Sequence, residues 1–179
     1  MSHRELTPEH YNAAEVAALF RLEPLAEEGG FFRRTAESEC VLPDGRRSYS
    51  VIYFLLTPDG FSAMHRLKQD EVWCFHAGDP VEMLQLEPDG SGKWVQLGLK
   101  PQRGEFPQTI VRAHTWQGTR LVAGGRWALI TCVVAPEFRR EDFELADRGT
   151  LTVSHPEFSG GIIALTRGNL PPPVTVHVG

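Results

Sequence analysis

The sequence predicts an all-β domain, a sandwich or barrel, on three observations. Pro-Asp-Gly recurs at Pro43-Asp44-Gly45, Pro58-Asp59-Gly60 and Pro88-Asp89-Gly90. Proline pre-sets the first turn position, aspartate caps its own backbone, and glycine takes the positive φ that follows. Between and beyond these turns lie short strand-like runs: Tyr49 to Thr57, Val81 to Glu87, Lys93 to Leu99, Thr109 to Val111 and Thr115 to Gln117. Finally, Trp127 to Val134 is apolar on both faces, as a strand in the middle of a sheet must be.

Taken in order, Thr7-Pro8 reads as the N-cap and first position of a short helix. Ala13, Val16, Ala17 and Phe20 repeat at helical spacing to about residue 20. Pro24 and Gly29-Gly30 break it, and Phe31 to Thr35 is the first strand. Pro136 ends the run from Trp127. Phe138, Phe143 and Leu145 then stand among charged residues, as in a short helical or irregular segment whose aromatics dock on the sheet. Residues 1–168 are expected to form one domain. Residues 169–179, with Pro171-Pro172-Pro173, form an extended or disordered tail.

A chain of 179 residues buries a core without disulfides or a structural metal. Its net charge is −5, and its arginine pairs are isolated, which disfavours a nucleic-acid or anionic-membrane partner. Cys40, Cys74 and Cys132 form no CxxC, which fits a reducing compartment. The polar N-terminus and the lack of a long apolar run complete the expectation of a cytoplasmic protein.

The chemistry concentrates between Gly60 and Gly78. His65 and Leu67 share one face of their strand. Glu71, Trp73 and Phe75 share one face of the next, leaving Val72, Cys74 and His76 on the other. If Glu71 faces inward, His76 does not, unless a bulge shifts the register.

Gly60, His65, Glu71 and Gly78 resemble the first motif of the cupin superfamily. Val111 to Gln117 resembles the second, with Arg112 at the usual proline, His114 at the glycine and Gln117 at the histidine. The match is closer to a group of small cupins known as a domain of unknown function. It rests on Glu28-Gly29-Gly30-Phe31-Phe32-Arg33, Tyr49 to Leu56, His65-Arg66 through Asp70-Glu71-Val72-Trp73, Val134 to Phe138 and Asp142 to Leu145. It implies a double-stranded β-helix, or jelly-roll barrel, with a short N-terminal helix and a few minor helical turns. It also implies a homodimer.

The resemblance leaves Leu67 in place of one metal-binding histidine and Gln117 in place of another. Three readings stay open. His65, Glu71 and Gln117 would hold a divalent metal (zinc, nickel, manganese or iron) in a reduced ligand set. Alternatively, His65 acts as base with Glu71 as its orienting partner, in the manner of metal-free cupins that epimerise keto-sugar nucleotides. In that isomerase reading Tyr53 supplies a phenol if its parity turns inward, and Trp73 and Trp116 stack on a carbohydrate-like or nucleotide-sugar-like ligand. In the third reading the pocket binds without catalysis: Glu71 pairs with Arg33, Arg66 or Arg112, and the tryptophans are core. Gly29-Gly30 followed by Arg33-Arg34 could also meet an anionic ligand through backbone N–H groups and a guanidinium fork, with Arg33 as the candidate contact, although those glycines read first as a tight turn into the first strand.

Overall fold

Twelve strands arise from the alternation read above, and the computed structural model describes residues 4–168. The strands are β1 (Glu23–Pro24), β2 (Phe31–Glu37), β3 (Ser50–Leu56), β4 (Ser62–Leu67), β5 (Asp70–Gly78) and β6 (Val81–Leu86), followed by β7 (Gly92–Leu97), β8 (Glu105–Phe106), β9 (Gln108–Val111), β10 (Trp116–Leu121), β11 (Ala128–Ala135) and β12 (Phe143–Leu145). They form two six-stranded sheets, ordered β1-β2-β3-β11-β5-β9 and β12-β4-β10-β6-β7-β8. The fold is the jelly roll expected from the sequence. The apolar run lies in β11, between β3 and β5, where both faces are covered.

Three apolar clusters follow from strand parity. Phe54, Trp73, Phe75, Met83, Leu97 and Ile130 fill the space between the sheets. Each such side chain stabilises the fold by about 1.5–3 kcal/mol on burial. Helix α1 (Ala13–Phe20) covers the outer face of the first sheet through Val16, packed with Leu55, Trp127 and Leu129. Helices α2 (Arg148–Ser154) and α3 (Ser159–Leu165) cover the outer face of the second, through Leu151, Ile162 and Leu165 against Met64, Leu84 and Leu86.

Some local expectations change. The first helix starts at Asn12, not Thr7: the Asn12 side chain accepts from the Glu15 amide at 3.0 Å, and the Glu15 carboxylate accepts from the Asn12 amide at 2.8 Å. This reciprocal pair satisfies two otherwise free amides. Thr7 instead opens a turn, its carbonyl accepting from His10 and Tyr11. Phe143 to Leu145 is a strand paired with β4, because the edge of β4 offers it backbone partners. Cys74 is half-buried, while Cys132 is buried and Cys40 exposed; all three are free thiols. The proline-rich segment 169–179 lies outside the described residues.

The closing glycine of the first motif has a steric reason. Gly78 has φ +108°, and a Cβ there would stand 2.2 Å from the Trp127 carbonyl oxygen. His114, where the second motif has glycine, holds φ +69° at the turn into β10. None of the described helices is long and apolar enough to cross a membrane.

Candidate functional site

One end of the space between the sheets stays open as a cavity of about 560 Å³. Its walls are largely apolar, with Leu25, Phe32, Ile52, Leu67, Val134 and Phe138 among them. His65, Glu71 and Cys132 reach it from three strands of the two sheets, and Glu27, Glu28, Arg34 and Arg140 also line it. The segment over one side, Phe138 to Phe143, is anchored by Asp142, whose carboxylate accepts from Arg46 and Gln69 at 2.6 Å and lies 3.3 Å from the Lys68 ammonium. Burial works against the Asp142 charge, but the bonds from Arg46, Gln69 and Lys68 outweigh it and hold its pKa below the usual carboxylate range.

Strand pairing brings three of the expected residues together. Gln117 of β10 pairs with His65 of β4, and both side chains point between the sheets. The His65 Nδ1–H donates to the Ala63 carbonyl at 2.7 Å, which leaves Nε2 as an acceptor in the neutral ring. The Gln117 amide supplies that donor at 3.2 Å and gives its other N–H to Glu71 Oε2. His65 is 2% exposed, Glu71 6% and Gln117 1%. Gln117 is therefore a bridge, and the Ala63 carbonyl, rather than Glu71, orients the imidazole. Phe143 stacks on the His65 ring with centroids 5.1 Å apart, while the Arg140 guanidinium lies 5.0 Å from the Phe143 centroid.

Burial raises the Glu71 pKa above its ordinary value; the neighbouring His65 opposes this, the charge of Glu28 adds to it, and the Gln117 bond opposes it. No cation pairs with Glu71 among the described residues. Of the three arginines considered as partners, Arg66 bonds Glu144, Arg112 bonds Asp70, and Arg33 lies 5.8 Å from the Tyr53 ring centroid on the outer face. Burial also pushes the Cys132 thiol well up, with Glu71 adding to the effect. It stays protonated and is a poor nucleophile.

Four expected ligand contacts lie elsewhere. Tyr53 and Arg33 are paired across β3 and β2 and share the outer face of the first sheet, where Tyr53 packs edge-on to Phe20 and His76. Trp116 faces outward on the second sheet beneath Arg66, with the guanidinium 4.5 Å from its ring centroid. Trp73 points inward but belongs to the core, packed edge-on to Phe54. Its buried indole N–H makes no hydrogen bond of good geometry but lies beside Glu71 and favours that carboxylate's charge. His76, as parity requires, is exposed, with Nε2 2.5 Å from Thr131 Oγ1.

Sequence reasoning passed over Glu28 and Arg140 as site residues, and considered Arg34 only beside Arg33 as an anion contact. Glu28 is held with care: its backbone carbonyl accepts from Ala63 at 2.8 Å, and its Oε1 accepts from the buried Ser62 hydroxyl at 2.5 Å. Gly29 makes this possible, since a Cβ there would stand 2.2 Å from the Phe61 carbonyl oxygen. The signal was present in Glu28-Gly29-Gly30, but only the tertiary contact with Ser62 aims the carboxylate inward. In Phe31-Phe32-Arg33-Arg34 the doubled residues hide which parity faces in.

The family comparison agrees with this architecture: residues 14–146 match the model described as Cupin superfamily (DUF985). The chain belongs to the cupin superfamily. No curated protein sequence matches this cupin. Among solved structures, a protein of Shewanella oneidensis is 35% identical, covering 88% of this chain and 98% of its own, with a TM-score of 0.82. A hypothetical protein from Leishmania major is 28% identical, covering 88% and 100%, with a TM-score of 0.81. Oxalate decarboxylase of Bacillus subtilis, at 12% identity and a TM-score of 0.51 over 87% of this chain and 38% of its own, shares the fold.

A divalent metal does not fit the donor set as it stands. The Gln117 amide turns its N–H groups, not its oxygen, toward His65 Nε2 and Glu71 Oε2, so Gln117 offers no donor atom and the lone pair of His65 is engaged. Leu67 contributes no donor. Among the described residues no group of three histidine, cysteine or acidic side chains is placed to hold a metal.

Proposed function

We propose that this cupin binds a small organic carbonyl compound in the cavity and moves a proton to and from the carbon beside the carbonyl. The observation that carries this reading is Glu71: a carboxyl buried at the cavity floor, without a cation partner, its pKa raised by desolvation. A carboxylate so placed is a stronger base than an exposed glutamate. It takes the proton from carbon, the electron pair passes to the carbonyl oxygen as an enolate, and return of the proton to either face gives isomerisation or epimerisation. His65, tied to Glu71 through Gln117, holds the bridging amide in place. These roles exchange those expected from sequence, because His65 has Ala63 and Gln117 on its two nitrogens while the Glu71 carboxyl lines the cavity with its pKa raised.

The carbohydrate-like or nucleotide-sugar-like ligand drew support from Trp73 and Trp116, neither of which lines the cavity. Phe32, Ile52, Leu67, Val134 and Phe138 favour a compact ring or branched apolar body. The volume is within the range of about 300–1,000 Å³ common for small-molecule sites. The test is solvent deuterium exchange into a panel of cyclic ketones, keto acids and keto-sugars, followed by NMR. Wild type is expected to exchange at least one bound compound, and Glu71→Gln to slow it by about 100-fold or more with binding retained. Exchange at the wild-type rate in Glu71→Gln, or no exchange in any compound that binds, refutes the reading.

A further inference from the structure

The polar groups around the cavity differ in how completely the protein satisfies them. Both arginines are neutralised internally: Arg140 Nη2 lies 2.7 Å from Glu27 Oε2, and Arg34 bonds Glu37 on its own strand. Glu28 and Glu71 have no cation within ion-pair distance among the described residues. Glu28 uses one oxygen on Ser62 and keeps the second free of side-chain donors, whereas Glu71 accepts from Gln117 and has the Trp73 indole and the Cys132 thiol beside it as further donors. Behind them, Gln117 Oε1 is buried with no partner at all. The unmet demand in and beside this cavity is thus mainly for donors and positive charge. A ligand supplying N–H groups therefore meets acceptors at the cavity wall that an apolar ligand leaves unmatched. The Trp73 indole N–H, outside the cavity lining, lies beside Glu71 and stabilises its charge, so the better unmet acceptor is Glu28.

Glu28 is the better seat for a cation. Its carboxylate is fixed by the Ser62 hydroxyl, by the backbone bond to Ala63 and by the glycine after it, so little side-chain entropy is lost when a ligand binds. Glu71 lies deeper and accepts from Gln117, which suits it to the proton-transfer step. Apolar walls beside these carboxyls favour a ligand with an apolar body and one charged end.

Resting on the small-molecule reading of this same cavity, we infer that its ligand carries an ammonium group, seated against Glu28, on a compact apolar or ring body. Such a group presents three N–H donors, enough to reach Glu28 and a second acceptor. A carboxylate-bearing ligand would meet Glu28 and Glu71 as like charges, and Arg34 and Arg140 would have to leave Glu37 and Glu27 to compensate.

The test uses three probes of one shape, benzylamine, benzyl alcohol and benzoate, titrated into wild type and Glu28→Gln by ligand-observed NMR at pH 7. Circular dichroism shows that the variant is folded. Wild type is expected to bind benzylamine at least ten-fold more tightly than benzyl alcohol, with benzoate weakest. In Glu28→Gln, benzylamine is expected to fall to the level of the alcohol. Equal or tighter binding of the alcohol or of benzoate by wild type overturns the ammonium assignment while leaving the pocket reading standing. An amine preference that survives in Glu28→Gln overturns Glu28 as its seat. If none of the probes binds at concentrations up to about 10 mM, the pocket reading falls together with the inference.

Discussion

Replacing Gln117 with leucine tests the bridge on which the floor of the cavity depends. The two side chains have similar volumes, so the main change is chemical. His65 Nε2 loses a donor at 3.2 Å and Glu71 Oε2 loses its amide donor, while both groups remain buried. Leaving two buried acceptors unpaired costs about 3–5 kcal/mol in total. Removing the Gln117 Oε1, itself buried without a partner, returns about 1–2 kcal/mol. The expected net loss is about 2 kcal/mol, or about 4–8 °C in Tm for a domain of this size.

The loss should also depend on pH. The Gln117 bond lowers the Glu71 pKa against the larger effect of burial, so the variant raises that pKa further. A folded-state pKa raised above the unfolded value removes stability as pH rises from the unfolded pKa through the folded one. The gap between wild type and Gln117→Leu should therefore widen from pH 4 to pH 7. Urea unfolding at both values measures it. A variant as stable as wild type at pH 7, or a gap equal at both values, refutes the account of Gln117 as the donor that supports both buried groups.

The segment over the cavity should respond to Asp142→Asn. Its depressed pKa contributes stability that is present above the unfolded aspartate pKa and lost as pH falls through the folded one. The variant should lose about 2–4 kcal/mol at pH 7 and progressively less as pH falls below the unfolded aspartate pKa, by urea unfolding across that range. Elemental analysis of protein purified without added metal should find no near-stoichiometric divalent ion. The double variant Leu67→His with Gln117→His, which supplies two imidazoles beside His65 and Glu71, should gain zinc; failure to gain it would show that donor identity is not what limits the site. For the homodimer implied by the family resemblance, light scattering after gel filtration should give twice the 20.0 kDa chain mass, and the chain mass alone refutes it.

The residue pattern alone determined the architecture. Pro-Asp-Gly turns, strand parity and the two-faced apolar run from Trp127 are local properties, and local properties specify strands, turns and which faces are buried. Parity was also enough to set His76 on the face opposite Glu71, while the cupin resemblance supplied the inward direction for His65 and Glu71. It did not say which face of β2 or β3 turns inward, because Phe31-Phe32 and Arg33-Arg34 satisfy either register. Arg34 rather than Arg33 therefore lines the cavity, and Tyr53 packs under α1.

Tertiary structure decided the rest, because hydrogen bonds at the site join residues far apart in the chain. Gln117 meets His65 and Glu71 only because β10 pairs with β4 while β5 lies in the facing sheet. Glu28 enters the cavity only because Ser62 and Ala63 hold it there. Short-range rules can place a side chain on a face; they cannot tell which donor from another strand will satisfy it, and here that donor is an amide rather than a metal-binding histidine.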